Sequence, residues 1–274
     1  VAETQAPWRF AADGDGYERL MGRWSRRLAQ TFLDFVGVGT DERVLDVGCG
    51  TGNLAVALVE RSSGSKVEAI DLSPSYIEHA RRHHGHPRIR FDVGDAAALP
   101  FDDHRFDRVL SLLVLHFVPR PDGAIAEMRR VAKPGAVVGA TVWDARGGFV
   151  ANRIFFDTAA ALDPGAGAHR ARNYTRPMTR PGDLGRAWRD AGFVDVMETT
   201  LAIRMEFADF ADYWTPYTGS DGPGAAYVAT LDDAARETLR THVRAAYLDG
   251  EADGPRSYAA LAWAVRGVVP RVTP

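Results

Sequence analysis

Three glycines at alternate positions, Gly48, Gly50 and Gly52, follow a short apolar run that contains an acid, Asp46, in the stretch VLDVGCGTGN. Glycine lets a chain turn tightly after a strand and bring its backbone N–H groups close to a ligand. In dinucleotide-binding loops the spacing is G-x-G-x-x-G and the loop faces a pyrophosphate. Here the spacing is G-x-G-x-G, and Asp46 sits where it would repel a diphosphate. A carboxylate there suits a ligand with a positive charge, such as an ammonium. Asp71 lies 19 residues beyond Gly52, at the end of a second strand-like run, KVEAID. An acid at that place accepts hydrogen bonds from ribose hydroxyls. Asp95, in VGDAAALPF, can accept a hydrogen bond from an adenine amino group. The three acids together describe a ligand with an adenosine-type ribose, a cationic group and no diphosphate.

Other residues invite chemistry with a plainer alternative beside it. Cys49 lies inside the glycine loop but has no basic neighbour to activate it, so it is read as a small loop residue rather than a nucleophile. His116 follows a fourth strand, where it is either a general base for an acceptor or a packing residue. His79 and His83 have the i, i+4 spacing of helical metal sites. No third ligand presents itself in the sequence, so they are read as a solvated helix end and no metal is expected. Trp143, Tyr174, Tyr213, Trp214 and Tyr217 are candidate pocket walls, since aromatic loop residues are costly to expose and attract cations. Arg153, Arg170, Arg172, Arg176 and Arg180 cluster near Tyr174 and suggest a small anionic or aromatic acceptor.

The elements that must position these residues alternate. Residues 17–35 place Tyr17, Leu20, Met21, Trp24, Leu28, Phe32 and Phe35 at helical spacing. RVLDVG reads as a buried strand, NLAVALVERS as a helix, and SPSYIEHARRHH as a helix capped by Ser73 with Pro74 at its first position. IRFDVGDA and FDRVLSLLVLHF supply a third and a fourth strand. DGAIAEMRRVAKPG reads as a helix stopped by Pro134 and Gly135, and AVVGATVWD as a fifth strand. Alternation from residue 43 to 144 implies a parallel sheet with right-handed crossovers. Beyond it, 145–180 shows little period, and RPGDLGRAWRDAGF reads as a helix closed at Gly192. VDVMETTLAIRMEF reads as a strand and YWTPYTGSDGPG as a loop. TLDDAARETLRTHVRAAYLDG reads as a helix with Thr230 and Asp233 in capping-box spacing, and YAALAWAVRGVVP as a last strand.

In this order, VLDVGCGTGN, AIDLSPS, GDAAALPF and LLVLHFVPRPDGAIAEMRRVAKPGA resemble the motifs of the class I S-adenosylmethionine-dependent methyltransferases over residues 43–144. YERLMGRWSR, ATVWD and AWAVRGVVP are similar to a bacterial subgroup near the quinone-biosynthesis methyltransferases. Two departures are Pro119-Arg120-Pro121, where the family often has an acid, and Ala136, where a second glycine is usual. The resemblance implies a Rossmann-like, doubly wound, seven-stranded, mostly parallel α/β sheet with helices on both faces and an antiparallel last strand. It implies one domain over 1–274: a helical cover (1–36), a cofactor core (37–144), a cap with late sheet elements (145–258) and a final strand (259–270). S-adenosylmethionine would be held by Asp46, Gly48, Cys49, Gly50, Asn53, Asp71 and Asp95, with Leu72 and Ala96 flanking adenine and Ser111–Leu112 at the strand end. Tyr17 would cover it, and Arg26 or Arg23 would meet the methionine carboxylate. Met21 and Trp24 would join the aromatic walls of an acceptor pocket. The product would be S-adenosylhomocysteine.

Composition limits the partners. A formal charge of −3 over 274 residues gives no broad basic excess, so the expected acceptor is a small molecule rather than nucleic acid. One cysteine forms no internal disulfide, which fits a reducing, cytoplasmic setting. The polar N-terminal stretch does not read as a signal peptide, and no apolar run reaches the ~20 residues of a membrane span. Oligomeric state is not readable. Two rival functions stay open: a non-catalytic cofactor-binding sensor, which a closed or absent acceptor pocket would favour, and an NAD-dependent oxidoreductase, which the loop spacing and Asp46 oppose.

Overall fold

The strand Arg43–Val47 (β1) carries the glycine loop and lies near the middle of a seven-stranded sheet. The computed structural model describes residues 14–271; the stretch before residue 14, part of the expected cover, lies outside the described residues. The chain opens with a short α1 (Gly14–Tyr17), a π-helical turn (Glu18–Gly22) and α2 (Arg23–Val36). In α2, Trp24, Leu28, Phe32 and Val36 recur every fourth residue and are all buried, and Gly37 at φ 70° ends the helix. After β1 come α3 (Asn53–Arg61), β2 (Lys66–Asp71), α4 (Pro74–His83) and β3 (Ile89–Val93). Ser73 caps α4 as expected, its side chain accepting the Tyr76 N–H. The chain then crosses to the other side of β1 for β4 (Phe106–Leu112), α5 (Pro121–Val131) and β5 (Ala132–Trp143).

The strand order is β3-β2-β1-β4-β5-β7-β6, with β6 (Val194–Phe207) on the far edge and β7 (Arg256–Val268) between it and β5. The first five strands pair in parallel, and β7 runs antiparallel to both of its neighbours. Chain order reverses between β1 and β4. Their carboxyl ends therefore open a crevice at the switch point, where ligands of doubly wound sheets bind. The side chains of α2 and α3 bury against one face of the sheet. Those of α5 and α8 (Asp183–Asp190) bury against the other, where Trp188 donates its indole N–H to the Val138 carbonyl at 3.0 Å.

Several expected elements shift. The α5 helix ends at Val131 rather than at Pro134–Gly135, because Ala132 already pairs with Phe106 of β4 and the Gly135 N–H bonds the Val269 carbonyl. Sheet pairing overrides the local helix-stop signal there. Residues 145–180 are not irregular; they contain α6 (Val150–Leu162) and α7 (Pro164–Tyr174), separated by Asp163, which accepts the Gly165 N–H. The aromatic and glycine-rich stretch holds α9 (Phe210–Trp214), a 3-10 turn (Thr215–Thr218) and the start of α10 (Gly222–Val228). The last long helix, α11 (Asp233–Leu248), is capped by Asp232, which accepts the Ala235 N–H; the Thr230 hydroxyl instead donates to Tyr227. The final strand begins at Arg256, earlier than residue 259.

Candidate functional site

The turn after β1 is built so that only glycine fits its first position. Gly48 has φ 73°, and a Cβ there would lie 2.4 Å from the Val114 side chain. The Gly48 and Cys49 N–H groups both donate to the Ile70 carbonyl at 2.8 Å, and the Gly50 N–H donates to Asp71 at 2.9 Å. The loop is thus tied to the end of β2. Asp71 also accepts the Ser73 N–H at 2.8 Å, so its carboxylate organises both the loop and the start of α4.

Asp46 is different. It is wholly buried, and neither carboxylate oxygen has a hydrogen-bond partner. Burial, with the charge of Asp71 beside it, pushes its carboxyl up to about 8, and the nearby Ala55 N–H offsets only part of that rise. A buried, unpartnered carboxylic acid costs free energy, and a cationic ligand would relieve that cost. Cys49 is buried beside it with its thiol pushed well up, first by burial and then by Asp46 and Asp71, so it is no nucleophile.

Tyr17 sits over the loop, 3.6 Å from where a Gly50 Cβ would be, with its ring centroid 5.0 Å from that of Tyr76. Tyr17, Asp46, Gly48, Cys49, Asn53 and Leu112 line a void of only about 10 Å³. Glu18 anchors this cover, a role the sequence did not reveal. It accepts hydrogen bonds from Thr51 (2.5 Å) and Asn53 (2.8 Å) at the start of α3 and from Arg26 of α2 (2.6 Å). Burial would raise its carboxyl, but these donors outweigh burial and hold it below the usual range. Arg26 therefore already holds the carboxylate of Glu18, and Arg23 is engaged by both oxygens of Asp212 at 3.0 and 2.8 Å. Ser111 does not open to the crevice; it is fully buried and its hydroxyl donates to the Val47 carbonyl at 3.0 Å. Toward the expected adenine end, Leu72 is 70% exposed next to Asp71. Ala96 is half-buried there, and the exposed Asp95 accepts the Ala97 N–H at 2.8 Å.

Beyond Tyr17 lies a second cavity of about 110 Å³, lined by Met21, Trp24, Trp143, Tyr213 and Tyr217 among others. Tyr174 and Trp214, two expected walls, are elsewhere. Tyr174 donates to Asp157 at 3.1 Å, and Trp214 stacks on Phe210 with centroids 6.0 Å apart. His116 reaches the cavity from a 3-10 turn, Leu115–Phe117, launched by Leu113 at φ 64°, a backbone conformation that leucine rarely adopts. It is 3% exposed and its Nδ1 has no hydrogen-bond partner. Burial, and then the charge of Arg176, hold its imidazole well below the usual range, so it is neutral at physiological pH. Arg176 is the one charged residue among the described residues that line the cavity. Its guanidinium stacks 4.2 Å from the Phe117 ring centroid, and burial draws it down to about 9, which leaves it cationic at neutral pH. Two other arginines of the cluster, Arg153 and Arg170, both pair with Asp157.

Residues 44–135 match the family model described as a methyltransferase domain. That match covers about a third of the chain, from β1 into β5. The chain is similar to demethylmenaquinone methyltransferase of Renibacterium salmoninarum, 40% identical over 111 residues that cover 40% of this chain and 45% of that one. The match thus spans less than half of that relative's length. Solved structures extend the likeness beyond the methyltransferase domain to the whole chain at the level of fold. Phosphoethanolamine N-methyltransferase 2 of Haemonchus contortus, in complex with S-adenosyl-L-methionine, aligns with a TM-score of 0.60 at 17% identity, covering 94% of this chain and 57% of that one. The [4+2]-cyclase SpnF aligns at 0.54 and 23% identity, covering 90% and 81%. A cyclase on the same fold means that the fold alone does not fix the reaction. Among the described residues, no helix is long and apolar enough to cross a membrane.

Proposed function

We propose that this chain transfers a methyl group from S-adenosylmethionine to a small acceptor with an apolar, ring-sized body and an anionic group. The observation that carries this reading is the unpartnered, buried carboxyl of Asp46 beside the glycine loop, in a void that shares Tyr17 as a wall with an aromatic cavity. When bound, the cofactor would supply a methyl group on a sulfonium, a good leaving group. The chain's own residues then mainly bind, align and exclude water.

In this reading Asp46 receives the ammonium and Asp71 the ribose, while Leu72 covers adenine. Tyr17 has to shift for the methionyl end, since the void beside Asp46 holds about one water. The acceptor lies in the cavity of about 110 Å³. Apolar cavities of about 150 Å³ bind benzene, so one ring is the right scale unless the walls open. Arg176 would hold the acceptor's anion, and His116, neutral and with Nδ1 free of hydrogen bonds, would accept a proton from a phenol, enol or activated carbon. Anion binding at Arg176 would also lift the imidazole toward its working range. An acceptor-sized cavity favours an enzyme over a sensor.

Calorimetric titration with S-adenosylmethionine, S-adenosylhomocysteine and NAD tests the cofactor. Benzoate against benzamide, and phenylacetate against phenylacetamide, test the acceptor class by ligand-observed NMR on the wild type and Arg176→Met. The acids should bind about tenfold tighter than the amides, and the preference should vanish in the variant. NAD binding alone would overturn the cofactor, while equal binding of acids and amides would overturn only the anionic group.

A further inference from the structure

Near the N-terminal cover, the fold brings Asp15 against two histidines that lie far from it in the chain. His79 and His83 are one helical turn apart on α4, with rings stacked at 4.1 Å between centroids. Asp15, on α1, faces them. One potential ligand atom from each of Asp15, His79 and His83 lies within 4.8 Å of the other two. The third ligand that the helix lacks in sequence is supplied by tertiary structure.

We propose that Asp15, His79 and His83 bind a divalent transition-metal ion that fastens the N-terminal segment to α4. Three features carry this. First, Asp15 Oδ1 and His79 Nδ1 are 3.0 Å apart. Two ligands each ~2.1 Å from one ion are about 3.0 Å apart at the 90° of an octahedral shell and about 3.4 Å apart at a tetrahedral one, so a small movement lets the pair share an ion. Second, the His83 Nδ1 lies 3.0 Å from the His79 carbonyl oxygen. Only an Nδ1–H makes that hydrogen bond, and it leaves Nε2 as the lone-pair nitrogen. This is the outer-shell arrangement that fixes the tautomer of metal-ligating histidines. Third, the segment approaches closely enough only because residue 14 is glycine: a Cβ there would be 2.4 Å from His79 Cβ.

Two imidazoles and one carboxylate suit zinc, cobalt, nickel or copper, and not magnesium or calcium, which favour oxygen ligands. The Asp15 and His83 side chains are exposed and His79 is buried, so an ion can enter from solvent and complete its shell with water. The fastened segment is the one that carries Tyr17 and Glu18 over the glycine loop. The site stands apart from the acceptor cavity and takes no part in the proposed reaction.

The test titrates cobalt chloride and zinc chloride into the chelator-treated full chain by calorimetry. The expected result is one site per chain in the micromolar range. Asp15→Asn and His83→Gln should each weaken it by more than the ~10–100-fold that loss of an outer-shell partner costs. His86→Gln, on the same histidine-rich stretch, should leave it unchanged. Amide hydrogen exchange over 14–22 should slow with zinc in the wild type and not in Asp15→Asn. Absence of saturable one-site binding, or binding unaffected by both ligand variants, overturns the site. Binding without slowed exchange overturns the fastening.

Discussion

Asp46 and Asp71 flank one glycine loop, yet Asp71 accepts the N–H groups of Gly50 and Ser73 whereas Asp46 has no partner for either oxygen. One acid builds the loop. The other waits, protonated, for a positive charge. The difference predicts separable effects. Asp71→Ala should disorganise the loop and the start of α4, lowering both stability and cofactor affinity. Asp46→Asn keeps the shape, and should weaken S-adenosylhomocysteine by about 10–100-fold, the worth of one charge-assisted hydrogen bond, while leaving the unliganded fold at least as stable.

The same carboxyl gives a pH signature. Its folded value near 8 lies above the unfolded carboxylate value, so the native state holds an extra proton between those limits. Stability from this group is present at low pH and lost as pH rises through about 8, with a slope of up to about 1.4 kcal/mol per pH unit. Thermal melts of the unliganded chain should therefore show Asp46→Asn gaining on the wild type from pH 6 to 8. Cofactor binding at neutral pH should release a proton, seen as a buffer-dependent binding enthalpy that the variant lacks.

His116 acts in the opposite sense. Its folded value is depressed, so its unfolded state binds the extra proton, and stability is lost as pH falls through about 6.5. His116→Asn should flatten that acid-side loss. If the imidazole is the base, the variant should also lower kcat by about 10²–10⁴ while cofactor affinity stays unchanged. A kcat within a few-fold of wild type would make His116 a packing residue.

One wall of the cavity that His116 lines depends on a close approach. A Cβ on Gly224 would lie 2.5 Å from the Tyr217 ring, which itself stacks on Phe155 with centroids 4.0 Å apart. Gly224→Ala should push Tyr217 into the cavity. The expected outcome is weaker acceptor binding with S-adenosylhomocysteine affinity unchanged, measured by titrating benzoate in the presence of the product.

The alternation of strands and helices made the parallel sheet legible, and the ordered set of motifs at the strand ends pointed to the cofactor class, because each signal is local to one element. The helix cap at Ser73 and the edge strand Val194–Phe207 were legible for the same reason: their signals lie within a few residues. The α9 and α10 helices were not, since such short helices owe their stability to packing, and α6 and α7 were not because the sequence there shows no clear periodic face. Which arginine of a basic cluster faces the cavity, and which tyrosines turn away, also depended on neighbours distant in sequence. Glu18 gained its role from Thr51 and Asn53, and Asp15 became a third ligand only when α1 came to rest on α4. Sequence by itself determined the chemistry of the strand ends. The tertiary structure alone decided which side chains meet there, because burial, charge pairing and cavity shape arise between elements that the chain separates.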